Sequence, residues 1–208
     1  MQDIKQQQAQ IIEDFKAGNQ RFLAGMSIHS SRASLMKLKE YARVGQSPKA
    51  VVLCCSDSRA PVEMIFDQDL GDVFVIRVAG NIVAPSLVGS VEFAAITFGT
   101  PVVMVMGHTQ CGAVTTTLRH IQTKEALSSE GLNDIVSRIK PHIHAIARIQ
   151  NISDEEKVRR AVEANVRASV GQLSHSSRII EEMVNLGRLQ ILGAVLDLSS
   201  GVVNFLED

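Results

Sequence analysis

Tryptophan is absent from this 208-residue chain, tyrosine occurs once, and aromatic residues make up only 4%. Stacking platforms for bases or sugars are therefore not expected. Neither sign of charge dominates: Lys+Arg 21 against Asp+Glu 22 gives a formal net charge of -1 and a pI near 6.6. A nucleic-acid binder normally carries a basic excess that neutralises phosphate, so no nucleic-acid partner is expected. Long apolar runs are missing too. The stretches around Val51 to Cys55 and Val102 to Gly107 fall far short of the roughly 20 residues that a spanning helix needs, and no membrane partner is expected. Three cysteines, Cys54, Cys55 and Cys111, are too few and too odd in number for a disulfide framework, and they fit a reducing compartment. The opening Met1 to Gln6 lacks the basic and apolar stretches of a secretory signal, which makes the cytoplasm the default expectation.

What is present is ordinary globular material, with 45% hydrophobic and 21% charged residues, enough for one domain with a sizeable core. The expected organisation is a single domain over 1–208, with an N-terminal helical arm at 1–45 and an α/β core at 46–208. Within the arm, Ile11, Ile12, Phe15, Phe22 and Leu23 recur at helical spacing, which predicts an amphipathic helix over 8–24, broken near Gly18. A second helix is predicted over 34–42, ahead of the turn signal Gly45-Gln46-Ser47-Pro48.

Three continuous apolar runs follow, over 50–55, 72–78 and 101–107, with a helical segment at 87–98 between the last two. Strands without alternation, separated by helices, predict a parallel sheet covered on both faces. Helices are predicted over 111–121, 132–150, 154–175 and 177–186. The last stretch, 189–198 and 202–206, reads as a hairpin that adds a C-terminal edge strand.

Two segments stand immediately after predicted strands: Cys55-Ser56-Asp57-Ser58-Arg59 and His108-Thr109-Gln110-Cys111-Gly112. Ligands of open parallel sheets bind beyond the carboxyl ends of the strands, so the two segments can converge. Two thiolates and an imidazole form a soft donor set that suits zinc, and three protein ligands leave the fourth tetrahedral position open for chemistry. Two thiolates also cancel the formal charge of the ion, so it acidifies a bound water less than an all-histidine site does. Asp57 can orient that water provided it does not ligate, and the planar fork of Arg59 can hold it back. If that pair breaks, Asp57 becomes a fourth ligand and the site closes.

In these segments the chain resembles the β-class carbonic anhydrases, zinc enzymes that interconvert carbon dioxide and bicarbonate. The resemblance extends to Phe74-Val75-Ile76-Arg77-Val78-Ala79-Gly80-Asn81, Gly89-Ser90-Val91-Glu92-Phe93 and Gly193-Ala194-Val195-Leu196-Asp197-Leu198. It implies an α/β fold with a mostly parallel four-stranded sheet plus an antiparallel C-terminal edge strand, flanked by helices. It also implies Cys55, His108 and Cys111 as zinc ligands, Asp57 and Arg59 as the catalytic pair, and a hydroxide nucleophile generated at the metal. It further implies a substrate wall that includes Gln46, Phe74, Ala79 and Phe93, with Ala79 and Phe93 standing where the family pattern has valine and tyrosine. Gln46 and the aromatic wall are expected to come from a neighbouring subunit of a homodimer, which often pairs into a homotetramer. A non-catalytic bicarbonate site built on tryptophan is ruled out by the lack of that residue. Two rivals remain: hydrolysis of carbon disulfide or carbonyl sulfide at the same zinc, and a zinc-binding module without turnover.

Cys54 precedes Cys55 on a strand, so it is expected to face the other way and pack as a core thiol. His29, His120, His142, His144 and His175 are expected at the surface. Gly112 either lets a helix N-terminus approach the site with a free amide or merely packs tightly. Asp197 is expected in a turn or an interface.

Overall fold

Apolar residues stacked in register explain the sheet at the centre of the molecule. In the computed structural model, which describes residues 2–28 and 31–207, five strands take the order β2-β1-β3-β4-β5. They are β1 (Ala50–Cys54), β2 (Val73–Arg77), β3 (Val102–His108), β4 (Gln190–Leu196) and β5 (Val203–Phe205). The first four are mutually parallel, and β5 runs antiparallel along β4. Every residue of β1 and β3 is buried, because helices cover both faces. That is why these strands read as unbroken hydrophobic runs and not as alternating ones.

Among the described residues, eight helices surround the sheet: α1 (Gln2–Leu23), α2 (Ser31–Val44), α3 (Val62–Ile65), α4 (Pro85–Phe98), α5 (Gly112–Thr123), α6 (Glu130–Ala147), α7 (Asp154–Ser174) and α8 (Arg178–Asn185). On one face Val52, Cys54, Met104 and Met106 meet Ile11 and Phe15 of α1 and Val62 and Ile65 of α3. On the other, Val51, Leu53, Val103 and Val105 meet α4, α7 and α8 through Val91, Ala94, Val166, Leu173 and Ile180. Each such Val, Leu, Ile, Phe or Met side chain, fully buried, contributes about 1.5–3 kcal/mol. Cys54 is completely buried on the first face, as its strand parity requires, and burial pushes its thiol up to about 12.

The break expected near Gly18 does not occur; α1 runs unbroken from Gln2 to Leu23. One glycine costs a helix only about 1 kcal/mol, and here it permits a close approach. A Cβ at Gly18 would sit 1.8 Å from the carbonyl oxygen of Phe66. The next residue, Asn19, uses the same approach to donate to the carbonyls of Ile65 and Gly201, at 3.2 and 3.0 Å, and to accept from the amide of Val203 at 3.0 Å. The arm is thereby fastened to both ends of the core. Arg21 pairs with Asp67 and Lys37 with Asp69, which ties α1 and α2 to the loop that follows α3.

Candidate metal centre

The carboxyl ends of β1 and β3 lie side by side, with Cys54 in register with Met106, and each strand ends on a residue of the site. Cys55 follows β1 directly, and His108 is the last residue of β3. Cys111 is the N-cap of α5 in extended conformation. The turn between them, with Gln110 at φ 57, folds the chain so that Cys111 returns beside His108. The ligand atoms of Cys55, His108 and Cys111 all lie within 4.8 Å of one another, and all three residues are buried.

The donor chemistry of the cluster is defined by its surroundings. His108 Nδ1 lies 2.8 Å from the carbonyl oxygen of Thr109. A carbonyl only accepts, so Nδ1 carries the proton and Nε2 presents its lone pair. That Nε2 is buried and has no hydrogen-bond partner among the described residues. The Cys55 sulfur accepts from the backbone N–H of Gly80 at 3.3 Å. The amides of Val114 and Ala113, at the start of α5, bear on the Cys111 sulfur. The Cys55 and Cys111 sulfurs lie close together, and each acts on the other: the proximity lowers the proton affinity of Cys55 and raises that of Cys111.

Beside the cluster, Asp57 Oδ1 accepts from Arg59 Nε at 3.0 Å and from the Arg59 backbone amide at 2.9 Å. Its Oδ2 accepts from Arg59 Nη2 at 2.8 Å and lies 3.8 Å from His108 Nε2. The Arg59 guanidinium holds the Asp57 carboxyl well below the usual carboxylate range. Asp57 is therefore an ionised acceptor at the edge of the Cys55-His108-Cys111 cluster, with both oxygens engaged by its own loop.

Two residues that sequence reasoning left without a role shape this loop. Arg77, at the end of β2, donates from Nε and Nη2 to the carbonyl of Cys55 at 3.2 and 3.1 Å, and from Nη2 to the carbonyl of Asp57 at 2.6 Å. Gly80 lies in a 3-10 turn, Ala79–Asn81, with φ 73. A Cβ there would meet Ile139 at 2.7 Å and Ala113 at 3.0 Å, so both conformation and space demand glycine. The run Arg77-Val78-Ala79-Gly80-Asn81 after a strand was the available signal.

The other expected site residues divide. Ala79 stands next to Gly80 and so next to the cluster. Gly112 is the first residue of α5, and a Cβ on it would meet nothing within 4 Å; tight packing does not account for it. Gln46 precedes β1, and Phe74 pairs with Val51 near the start of β2. They therefore stand at the opposite end of the sheet, roughly 13 Å or more of strand away from Cys55. Phe74 and Phe93 pack with Phe98, at ring separations of 6.3, 6.2 and 5.5 Å, and Phe93 remains 52% exposed. Within one chain these residues do not meet the cluster. Asp197 accepts from the amide and hydroxyl of Ser199 in the β4–β5 turn. His142 departs from its expected surface position: it is half-buried on α6, with Nε2 inaccessible, because the apolar face of that helix packs beneath the centre. His29 lies outside the described residues.

Residues 50–203 match the family model described as carbonic anhydrase. The chain belongs to the β-carbonic anhydrase family. It is 35% identical over 186 residues to carbonic anhydrase 2 of Mycobacterium tuberculosis, covering 89% of this chain and 86% of that one. It is 37% identical over 193 residues to the carbonic anhydrase of Mycolicibacterium smegmatis, covering 90% and 88%. Among solved structures, a tetrameric β-carbonic anhydrase of Sordaria macrospora superposes with TM-score 0.71 at 26% identity, covering 89% of this chain and 91% of that one. The parallel sheet with its antiparallel C-terminal edge is the architecture expected of such a chain.

Proposed function

We propose that this protein catalyses the reversible hydration of carbon dioxide to bicarbonate and a proton, with zinc held by Cys55, His108 and Cys111. The observation that carries the reading is the meeting of those three buried side chains within 4.8 Å, beside the Asp57–Arg59 fork. The donor set fits the ion. Two sulfurs and one imidazole match the tetrahedral N/S ligation of zinc, and the orphaned lone pair of His108 Nε2 requires a partner of that kind. When bound, zinc supplies the acidity that makes a nucleophile of water near neutral pH.

The chain's own residues do the rest. Asp57, ionised and so carrying no proton to donate, accepts a hydrogen bond from the attacking water and orients it. Arg59 occupies both oxygens of Asp57 and keeps it from ligating; were that pair to break, Asp57 would be free to close the site as a fourth ligand. The N–H of Gly112 is one of the unpaired first-turn donors of α5, placed to steady negative charge on the bicarbonate oxygens. Gln46, Phe74, Ala79 and Phe93 supply the wall for an apolar substrate. Because Gln46 and Phe74 stand at the far end of their own sheet, they act in the site of a neighbouring subunit, and a homodimer or homotetramer is the active unit.

Metal analysis combined with stopped-flow carbon dioxide hydration across pH tests this reading, with a parallel assay on carbon disulfide. Stoichiometric zinc and hydration activity are expected, and both are expected to be lost in a folded Cys55→Ser protein. Full activity in metal-free protein, or in that variant, would overturn the reading.

A further inference from the structure

We infer that Asn165 is a positioning residue for the metal centre: from α7 it fixes the Gly80 turn so that the Gly80 amide is aimed at the sulfur of Cys55. This rests on the zinc reading above and concerns a residue that touches neither metal nor substrate.

Asn165 is 1% exposed, a rare setting for an amide side chain. Its Nδ2 donates to the carbonyl oxygen of Gly80 at 2.8 Å. The amide of the same Gly80 donates to Cys55 Sγ at 3.3 Å. One helical turn further along α7, Ser169, also 1% exposed, donates to the carbonyl of Asn81 at 3.1 Å. Two successive carbonyls of the turn are thus tied to two successive turns of one helix face. The turn needs such ties, because Gly80 and Asn81 both adopt positive φ, at 73 and 44, and for Asn81 that conformation is uncommon and strained. Held from one side only, the peptide planes could rotate and carry the Gly80 N–H away from the sulfur.

The consequence is electronic as well as geometric. A hydrogen bond to a ligating thiolate withdraws charge from it, and partners outside the ligand shell tune a metal site in this way. Two thiolates neutralise a divalent ion, so a donor aimed at one of them returns part of its Lewis acidity. Through Gly80, α7 therefore sets how strongly Cys55 donates to the metal.

Cobalt(II)-loaded protein reads this directly through its sulfur-to-metal charge-transfer band. Asn165→Ala is expected to move that band to longer wavelength and to weaken zinc binding about 10- to 100-fold in competition with a chromophoric chelator. Leu173→Ala, on the same helix and fully buried but away from the turn, is expected to lower stability while leaving band and affinity in place. An unmoved band in Asn165→Ala, or an equal movement in Leu173→Ala, would overturn the inference. Should Asn165→Ala not fold, Asn165→Ser, whose shorter hydroxyl cannot span to the Gly80 oxygen, is read in the same way. The wild-type protein loaded with cadmium-113 gives a further decision: the Gly80 amide proton should couple to the metal through the sulfur, and a missing coupling counts against the inference. Failure of the zinc reading looks different, because wild-type protein would then show no thiolate charge-transfer band, and both proposals would fall together.

Discussion

Arg59 grips both carboxylate oxygens of Asp57 from two residues along the same loop, through Nε at 3.0 Å and Nη2 at 2.8 Å. A lysine at the same place keeps the charge but offers a single ammonium in place of a planar fork. Arg59→Lys should therefore release one oxygen of Asp57 toward the cluster. The expected outcome is a loss of about 10- to 100-fold in hydration rate. X-ray absorption at the zinc edge of the variant should show an added oxygen scatterer from Asp57. A rate and spectrum equal to wild type would show that the fork does not restrain the carboxylate.

Gly112 separates two roles by one substitution. Proline is favoured at the first position of a helix, where its missing N–H costs nothing intrahelical, and Cys111 before it is already extended with ψ 118. Gly112→Pro should thus melt within a few degrees of wild type yet turn over carbon dioxide more slowly, whereas Gly112→Ala, which keeps the amide, should match wild type in both melting and rate. Equal rates in all three proteins would remove the amide from the mechanism.

Removal of the metal should lower stability without unfolding the chain. The three ligands sit on a sheet whose core is complete without them, and a ligand bound only by the folded state stabilises by about 2.7 kcal/mol at 100 times its Kd. Thermal melting after dialysis against a chelator should show a lower Tm with native circular dichroism, restored by zinc and not by magnesium. An apo form without native helix signal would contradict this.

His142 gives stability a pH dependence of known sign. Burial lowers its pKa below the ordinary value, so the unfolded imidazole takes up a proton near pH 6.5 while the folded one does so only at lower pH. Across that interval the unfolded state binds more protons. Stability is therefore full above the unfolded value and declines as pH falls toward the folded one. Urea midpoints of wild type and His142→Gln, compared from about pH 7.5 to about pH 5.5, should converge or cross as acid is added. A constant difference would mean that His142 titrates alike in both states.

Gly18→Ala tests the seat of α1. The added methyl would collide with the Phe66 carbonyl, and backbone cannot yield as a flexible side chain can. A loss of about 1–3 kcal/mol or more is expected in denaturant titration, although alanine is the better helix former. A stabilised variant would show that the arm does not need this approach.

Much of this architecture was legible beforehand, for a physical reason. Strands buried on both faces, such as Val51 to Cys54 and Val102 to Met106, leave a signature that needs no knowledge of their neighbours. The convergence of Cys55 with His108 and Cys111 followed from strand ends in a parallel sheet. Gly18 was misread because a sequence displays the conformational cost of glycine but not the carbonyl that comes to lie against it. Asn165 and Ser169 escaped notice because a polar residue on an amphipathic helix looks like its solvent face until the turn it serves is seen. Gln46, Phe74 and Phe93 rest on family resemblance, since a single chain leaves them at the far end of the sheet.

The double grip of Arg77 on the carbonyls of Cys55 and Asp57 has a consequence for how the protein comes by its ion. Ordering costs usually charged to ion capture are already met by contacts within the polypeptide: Arg77 on the loop, Thr109 on the imidazole, and the start of α5 around Cys111. Unlike small zinc domains that fold only around their ion, such a chain can mature empty and be filled later.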